Sequence, residues 1–156
     1  MSSKTARLDP HANEIWNPWA AIFLSVIFTP AFGAMLHETD LRHIGDEESS
    51  AVAYLWARGS MTLLGIAAVI QPLAAACPGW ELTLFAVDMA LLAGWVLFCG
   101  VRHARFISEV LSVSNKFVKV PFGRAITLGL LGLMAWAVLF HIARIGWQFA
   151  GLIPAS

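Results

Sequence analysis

Residues Leu82–Val101 have the sequence LTLFAVDMALLAGWVLFCGV, in which Asp88 is the only charged side chain. A helix needs about 20 predominantly apolar residues to cross the hydrocarbon core of a bilayer. A chain in lipid must also satisfy its backbone hydrogen-bonding groups internally, and a single helix does so. This stretch therefore predicts a transmembrane helix.

The rest of the chain has the same character. It contains 156 residues, of which 58% are hydrophobic and 13% charged; an average soluble domain has about 25% charged residues. The formal net charge of zero and the two cysteines disfavour a basic nucleic-acid-binding protein and a disulfide scaffold. We predict an all-α integral membrane bundle of four transmembrane helices, a single domain over residues 1–156. The other three spans are predicted at about Trp19–Leu36, Val52–Ala75 and Ala125–Ile145.

The distribution of basic residues predicts the orientation of these spans. Lys and Arg are more frequent in the two long loops, at about residues 37–51 and 102–124, than at the opposite side. By the positive-inside rule, both loops are predicted to be cytoplasmic and both termini periplasmic. The second loop is amphipathic, which predicts a short helix on the anionic inner leaflet between spans three and four. Its basic residues are Arg102, Arg105, Lys116, Lys119 and Arg124.

Four polar residues fall within or near the ends of the predicted spans, where charged groups are rare and often functional. Helical rise places Asp88, His141 and Gln71 at about the same depth, with Arg144 one turn after His141. Two interpretations remain open. The cluster is either a proton- or ion-responsive site, or a structural pair that fixes the helices in register.

Other ionisable residues gather at the predicted cytoplasmic membrane surface. They are His37, Glu38, Asp40, His43 and His103. They show no zinc-binding spacing, and the histidines sit at the predicted rim rather than in a bundle core that could hold haem. The sequence also lacks a nucleophile elbow and a phosphate-binding loop. We therefore expect no metal site, no cofactor and no enzymatic activity.

One N-terminal region resembles a known group of proteins. Its motifs are Asn17-Pro18-Trp19-Ala20-Ala21, then Phe28-Thr29-Pro30-Ala31-Phe32-Gly33-Ala34, then Leu41-Arg42-His43-Ile44-Gly45. They resemble the opening of small bacterial inner-membrane proteins with the pattern N-P-x-A-A, F-[ST]-P-x-F-G-A, N-W-R-x-L-G, although Asp40-Leu41-Arg42 departs from Asn-Trp-Arg. Physically, Pro30 and Gly33 are predicted to kink span one and allow a neighbouring helix to approach.

The resemblance implies a bacterial inner-membrane protein that acts by binding another protein. Some members of that group resemble immunity partners of membrane-acting toxins, so a toxin or a larger membrane complex is the expected partner. A homo-oligomer is the other possible assembly. The alternative function is a small transporter or channel subunit that uses the polar cluster around Asp88 and His141.

Overall fold

The structure is a computed structural model that describes residues 14–74, 79–114 and 116–154. It is helical apart from two short strands, which agrees with the predicted all-α class. The elements are β1 (Glu14–Ile15), α1 (Pro18–Ile27), α2 (Pro30–Ile44), α3 (Glu47–Ala74), α4 (Trp80–Gly94), a π-helical segment (Trp95–Gly100), α5 (Val101–Val113), β2 (Val118–Lys119) and α6 (Phe122–Phe149).

Three helices are long and apolar enough to cross a membrane. They are Glu47–Ala74, Trp80–Val113 and Phe122–Phe149, and they coincide with the second, third and fourth predicted spans. The first of them begins at Glu47, five residues before the predicted start of the span, and the Asp46 carboxylate accepts a hydrogen bond from the Ser49 amide at 3.0 Å. This contact is a helix N-cap.

The prediction of a first continuous span over Trp19–Leu36 is wrong. Helix α1 ends at Ile27 and α2 starts anew at Pro30. The Thr29 side chain caps α2 by accepting from the Phe32 amide at 3.2 Å, with extended backbone at Thr29. Proline at the first helical position lacks the N–H that would be unpaired there, so Thr29-Pro30 is a helix start and not a kink within one helix.

Helices α1 and α2 form an antiparallel hairpin. Gly33 lies against Ser25 and the Ala21 carbonyl so closely that a Cβ atom at this position would overlap Ser25. Gly33 thus permits close helix approach, as predicted, but its neighbour is the preceding helix of its own hairpin. With α1 only 10 residues long, its length of about 15 Å is half of a hydrocarbon core.

The hairpin lies at the centre of the molecule. Three clusters of buried apolar side chains each join it to a different set of neighbours. The clusters are Ile15, Leu41, Ala53 and Ile107; Ala21, Leu24, Leu36 and Ala125; and Ala34, Ala57, Trp95 and Cys99. The hairpin is therefore packed against α3, α5, α6 and the π-helical segment.

The two short strands hold the N-terminal end of the described chain beside the start of α6. β1 pairs in parallel with β2, with Glu14 opposite Val118 and Ile15 opposite Lys119. Helix α6 then starts at Phe122 and runs for 28 residues, about 42 Å, away from this sheet. Glu14 and Pro154 consequently lie at opposite ends of the bundle. The two terminal segments lie outside the described residues, so the placement of both termini on the periplasmic side stays a prediction.

The short amphipathic helix predicted between spans three and four is part of span three. From Trp80 to Val113 the chain continues as one helix of 34 residues. Its last part is amphipathic, but the apolar face carries Ala104 and Ile107, which are fully buried. Ile107 packs against Ile15 and Leu41. Protein therefore covers part of the face that was expected to lie on lipid, whereas Phe106 and Val118 remain exposed.

Candidate functional site

One face of α2 binds the backbone of the segment that precedes α1. His37 Nε2 donates to the Pro18 carbonyl at 3.0 Å, and the Asp40 carboxylate accepts from the Trp16 amide at 2.8 Å. His43 Nδ1 donates to the Glu14 carbonyl at 2.8 Å. Residues three apart share a helix face, so the three side chains form a ladder that holds residues 14–18 against α2.

Burial changes the titration of two ladder residues. His37 is fully buried, and the loss of hydration lowers its pKa to about 4. Asp40 is also fully buried, and the loss of hydration raises its pKa to about 8 despite the hydrogen bond from Trp16. Both side chains are therefore neutral at pH 7.

A pocket of aromatic rings lies next to the ladder. Its centre is Trp95, the first residue of the π-helical segment, which is fully buried. The ring of Trp95 lies 5.5 Å from that of His37 and 6.1 Å from that of His103, centroid to centroid. The Trp95 indole N–H donates to the Ser25 hydroxyl at 3.3 Å. The pocket thus joins both helices of the hairpin to the long third-span helix.

The two imidazoles of this pocket have unused ring nitrogens. Their centroids are 6.1 Å apart. Nδ1 of His37 and Nδ1 of His103 are both buried and lack a hydrogen-bond partner among the described residues. An unpaired buried polar atom destabilises a fold by about 1–3 kcal/mol, so such atoms are uncommon without a ligand or function.

The sequence alone predicts that the ladder residues share a helix face, but it does not predict their burial. The spacing of His37, Asp40 and His43 at intervals of three was visible and places them on one helix face. Their burial was not visible, because a continuous first span put them at the membrane rim. His103 was likewise expected at the rim, and only the hairpin brings it next to His37.

The structure places the members of the predicted polar cluster on three helices: Gln71 on α3, Asp88 on α4, and His141 and Arg144 on α6. Helices α4 and α6 both pack against α3, but no hydrogen bond or ion pair joins Asp88 to His141 within the described part of the chain. His141 is exposed and contacts Phe140. Gln71 lies half-buried near the end of α3. Arg144 is half-buried on α6.

Asp88 lies on α4, the helix that forms a groove together with α3. The groove has a volume of about 260 Å³. Asp88 lies one turn before Leu91, which lines it, and its Oδ1 atom is buried without a hydrogen-bond partner among the described residues. The same holds for the hydroxyl of Ser60, on the other wall. The lining residues are Leu55, Trp56, Gly59, Ser60, Leu63 and Leu91.

The predicted basic residues remain at the surface. Arg102 and Arg105 are exposed and line an open groove of about 390 Å³ together with Phe106 and Glu109. Lys116 and Lys119 are exposed around β2. The exposed Arg124 forms an ion pair with Glu14 at 2.9 Å. These five residues and β1 lie at one end of the molecule, where guanidinium groups beside apolar walls suit contact with anionic lipid headgroups.

Comparisons with protein-family models, with curated proteins and with solved structures each found no match. Within residues 14–74, 79–114 and 116–154, no group of three or more His, Cys, Asp or Glu side chains is arranged to hold a metal ion.

Proposed function

We propose that this chain is a non-enzymatic protein of the bacterial inner membrane that works by binding another membrane protein. Its binding surface is the groove between α3 and α4. The ligand is a transmembrane helix of the partner that carries a basic side chain, which pairs with Asp88.

The unpaired carboxyl oxygen of Asp88 carries this proposal. An acidic group within the hydrocarbon is expensive unless it faces a partner group or water. Here Oδ1 is buried against the protein and lacks a hydrogen-bond partner in the described chain. A Lys or Arg on an added helix would supply both the opposite charge and the missing donor.

The shape of the surface supports a helical ligand. Helix α4, all of which is described, contains no buried residue. The groove beside it is walled by apolar side chains and by Gly59, and small residues allow close helix packing in lipid. The unpaired Ser60 hydroxyl on the opposite wall offers a second polar contact to the same ligand.

The resemblance of the N-terminal motifs supports two classes of partner. The first is a membrane-acting toxin, for which this chain would be the immunity factor. The second is a larger membrane complex, in which it would be an accessory subunit. For both classes we propose recognition within the bilayer, because the described long helices expose many apolar side chains.

Photo-crosslinking in native membranes tests the binding surface. A benzoylphenylalanine at Leu63, in the groove, is expected to form an adduct with a transmembrane segment that contains Lys or Arg, located by mass spectrometry. The matched control is Leu131 on α6. Leu63 and Leu131 are 46% and 56% exposed, so both present an apolar side chain at the surface.

The Asp88 variants decide whether the charge matters. Asp88→Asn is expected to reduce the Leu63 adduct about tenfold, since polar contacts between membrane helices contribute about 1–2 kcal/mol. Asp88→Glu is expected to retain it. An adduct that is equally strong at Leu131, or unchanged in Asp88→Asn, would contradict the proposal. For the immunity version, cells that co-express the toxin should lose protection with Asp88→Asn.

A transport pathway through Asp88, His141, Arg144 and Gln71 is the alternative proposal. It predicts that Asp88→Asn abolishes ion or solute flux in proteoliposomes while the protein stays folded. Equal flux in the variant and the parent protein would dismiss this alternative.

A further inference from the structure

We infer that His37 and His103 form a binding site for one Cu(I) ion, coordinated by Nδ1 of each imidazole beside the ring of Trp95. The site lies between the hairpin and α5, away from the α3–α4 groove. It is therefore independent of the proposed partner binding.

The first argument is the orientation of His37. Its Nε2 atom donates to the Pro18 carbonyl at 3.0 Å, so the proton of the neutral imidazole is on Nε2. The lone pair is consequently on Nδ1, which is buried and lacks a hydrogen-bond partner among the described residues. A histidine that binds a metal commonly donates its other ring N–H to a backbone carbonyl in this way.

The second argument is the distance between the two rings. Two imidazoles that share one metal ion have ring centroids roughly 6 Å apart or less, because each metal–nitrogen bond is about 2 Å long. The centroids of His37 and His103 are 6.1 Å apart. This separation suits a nearly linear N–metal–N arrangement. Nδ1 of His103 supplies the second buried nitrogen without a partner in the described chain.

The number of ligands selects the metal. Structural Zn²⁺ takes four protein ligands, and Ca²⁺ and Mg²⁺ prefer six or more oxygens. The described chain offers two imidazoles here and does not bring a third His, Cys, Asp or Glu into a metal-binding group. Among the metals that bind imidazole, Cu(I), a d¹⁰ ion, forms stable complexes with two ligands in a linear arrangement.

The surroundings suit a monovalent cation. Burial of a charge becomes more unfavourable with the square of that charge, so a single positive charge is the easier one to bury. The Trp95 ring lies beside both imidazoles, at 5.5 and 6.1 Å. A tryptophan ring within about 6 Å of a cation attracts it through the π system. His37 and Trp95 are 0% exposed and His103 is 5% exposed, so the walls would exclude water and oxidants from the bound ion.

Anaerobic titration of the full-length protein in detergent tests the site. Cu(I) is added in competition with a chromophoric chelator, and one equivalent is expected to bind. His103→Phe, which keeps an aromatic ring in the pocket, should lose this equivalent. His141→Phe changes an exposed imidazole on α6 and should keep it. X-ray absorption of the loaded protein should show two nitrogen neighbours at about 2 Å.

Two further readouts keep the test independent of variant folding. Ag(I), a monovalent d¹⁰ probe that is not redox-active here, should raise the Tm of the unmodified protein by roughly 5 °C at a hundredfold excess over Kd. Cys99→Ala should leave Cu(I) binding unchanged. Failure of the unmodified protein to bind Cu(I), retention of binding by a folded His103→Phe variant, or a sulfur neighbour in the absorption spectrum would each overturn the inference.

Discussion

The Asp40 side chain shows how much a single buried group can influence the stability of the hairpin. Its carboxyl group is fully buried and accepts a hydrogen bond from the Trp16 amide. Burial raises the pKa of this carboxyl group to about 8. In the unfolded chain the pKa is about 3.9. Between about pH 3.9 and about pH 8, Asp40 is therefore protonated in the folded protein and ionised in the unfolded chain. The contribution of this proton to the free energy of unfolding is complete below about pH 3.9 and is lost as the pH rises to about 8.

This linkage predicts a pH dependence that one substitution removes. Between pH 4 and 6.5 the slope from Asp40 is opposed by His37, whose lowered pKa gives stability that is lost as pH falls. From pH 6.5 to 8 we expect Asp40 to give the largest slope. The free energy of unfolding should then fall by up to about 1.4 kcal/mol per pH unit. Asp40→Asn, which keeps an acceptor for Trp16, should abolish that fall in denaturation experiments with a metal chelator present.

Asp46→Asn is the matched control for this prediction. The hydrogen bond from the Ser49 amide lowers the pKa of Asp46, so this group stays ionised from pH 6.5 to 8 in both states. Its substitution should change the free energy of unfolding by less than about 1 kcal/mol, because Asn caps a helix about as well as Asp, and by the same amount at every pH in this range. An Asp40→Asn protein with the parental slope would show that Asp40 is already ionised in the fold.

At the scale of elements, the hairpin separates what the sequence could predict from what it could not. Hydropathy located the three long helices because their length and apolar composition are local properties. It could not distinguish one helix over residues 19–36 from two short ones, since both are equally apolar. Thr29-Pro30 did contain a helix-start signal, an N-cap residue followed by proline. The identity of the neighbour that buries His37 depends on long-range packing, which no local pattern encodes.

The close contact within the hairpin predicts the effect of adding one methyl group. In Gly33→Ala, the new Cβ would overlap the Ser25 side chain and crowd the Ala21 carbonyl. Forced separation of the two helices should lower the free energy of unfolding in detergent by about 1–3 kcal/mol. It should also weaken the Trp95–Ser25 hydrogen bond, which near-ultraviolet circular dichroism of Trp95 would report.

Gly132→Ala provides the control for the Gly33 substitution. Gly132 is also helical, but a Cβ there would have nothing within 4 Å. Its substitution should leave stability unchanged or raise it by up to about 1 kcal/mol, the helix propensity difference between glycine and alanine. Equal effects of the two substitutions would argue that α1 and α2 do not touch at Gly33.

At the scale of the whole molecule, the described chain combines three helices that are long and apolar enough to cross a membrane with one short hairpin. The first residue of α1 and the last residue of α2 both lie at the end of the molecule that carries β1, β2 and Arg124. We predict that each long helix crosses the membrane once, which would put Glu14 and Pro154 on opposite sides of it. By the positive-inside rule, we expect the end with β2 to be the cytoplasmic one.

Labelling of single cysteines in sealed vesicles checks this topology. In a background with Cys77 and Cys99 replaced by Ala, Asn17→Cys and Lys116→Cys should react with an impermeant maleimide from the cytoplasmic side. Pro154→Cys should react from the opposite side. All three positions are exposed in the structure. Labelling of Asn17→Cys and Pro154→Cys from the same side would favour the even number of crossings expected from hydropathy alone.

The parallel pairing of β1 with β2 also governs the order of events during biosynthesis. Ile15 leaves the ribosome first, but its carbonyl accepts a hydrogen bond from Val120, about 100 residues later. At about 5–20 residues per second, that partner emerges roughly 5–20 s after β1. His103 also appears well after the hairpin that covers it. β1 and the buried face of the hairpin therefore stay without these partners until Val120 and His103 have been synthesised.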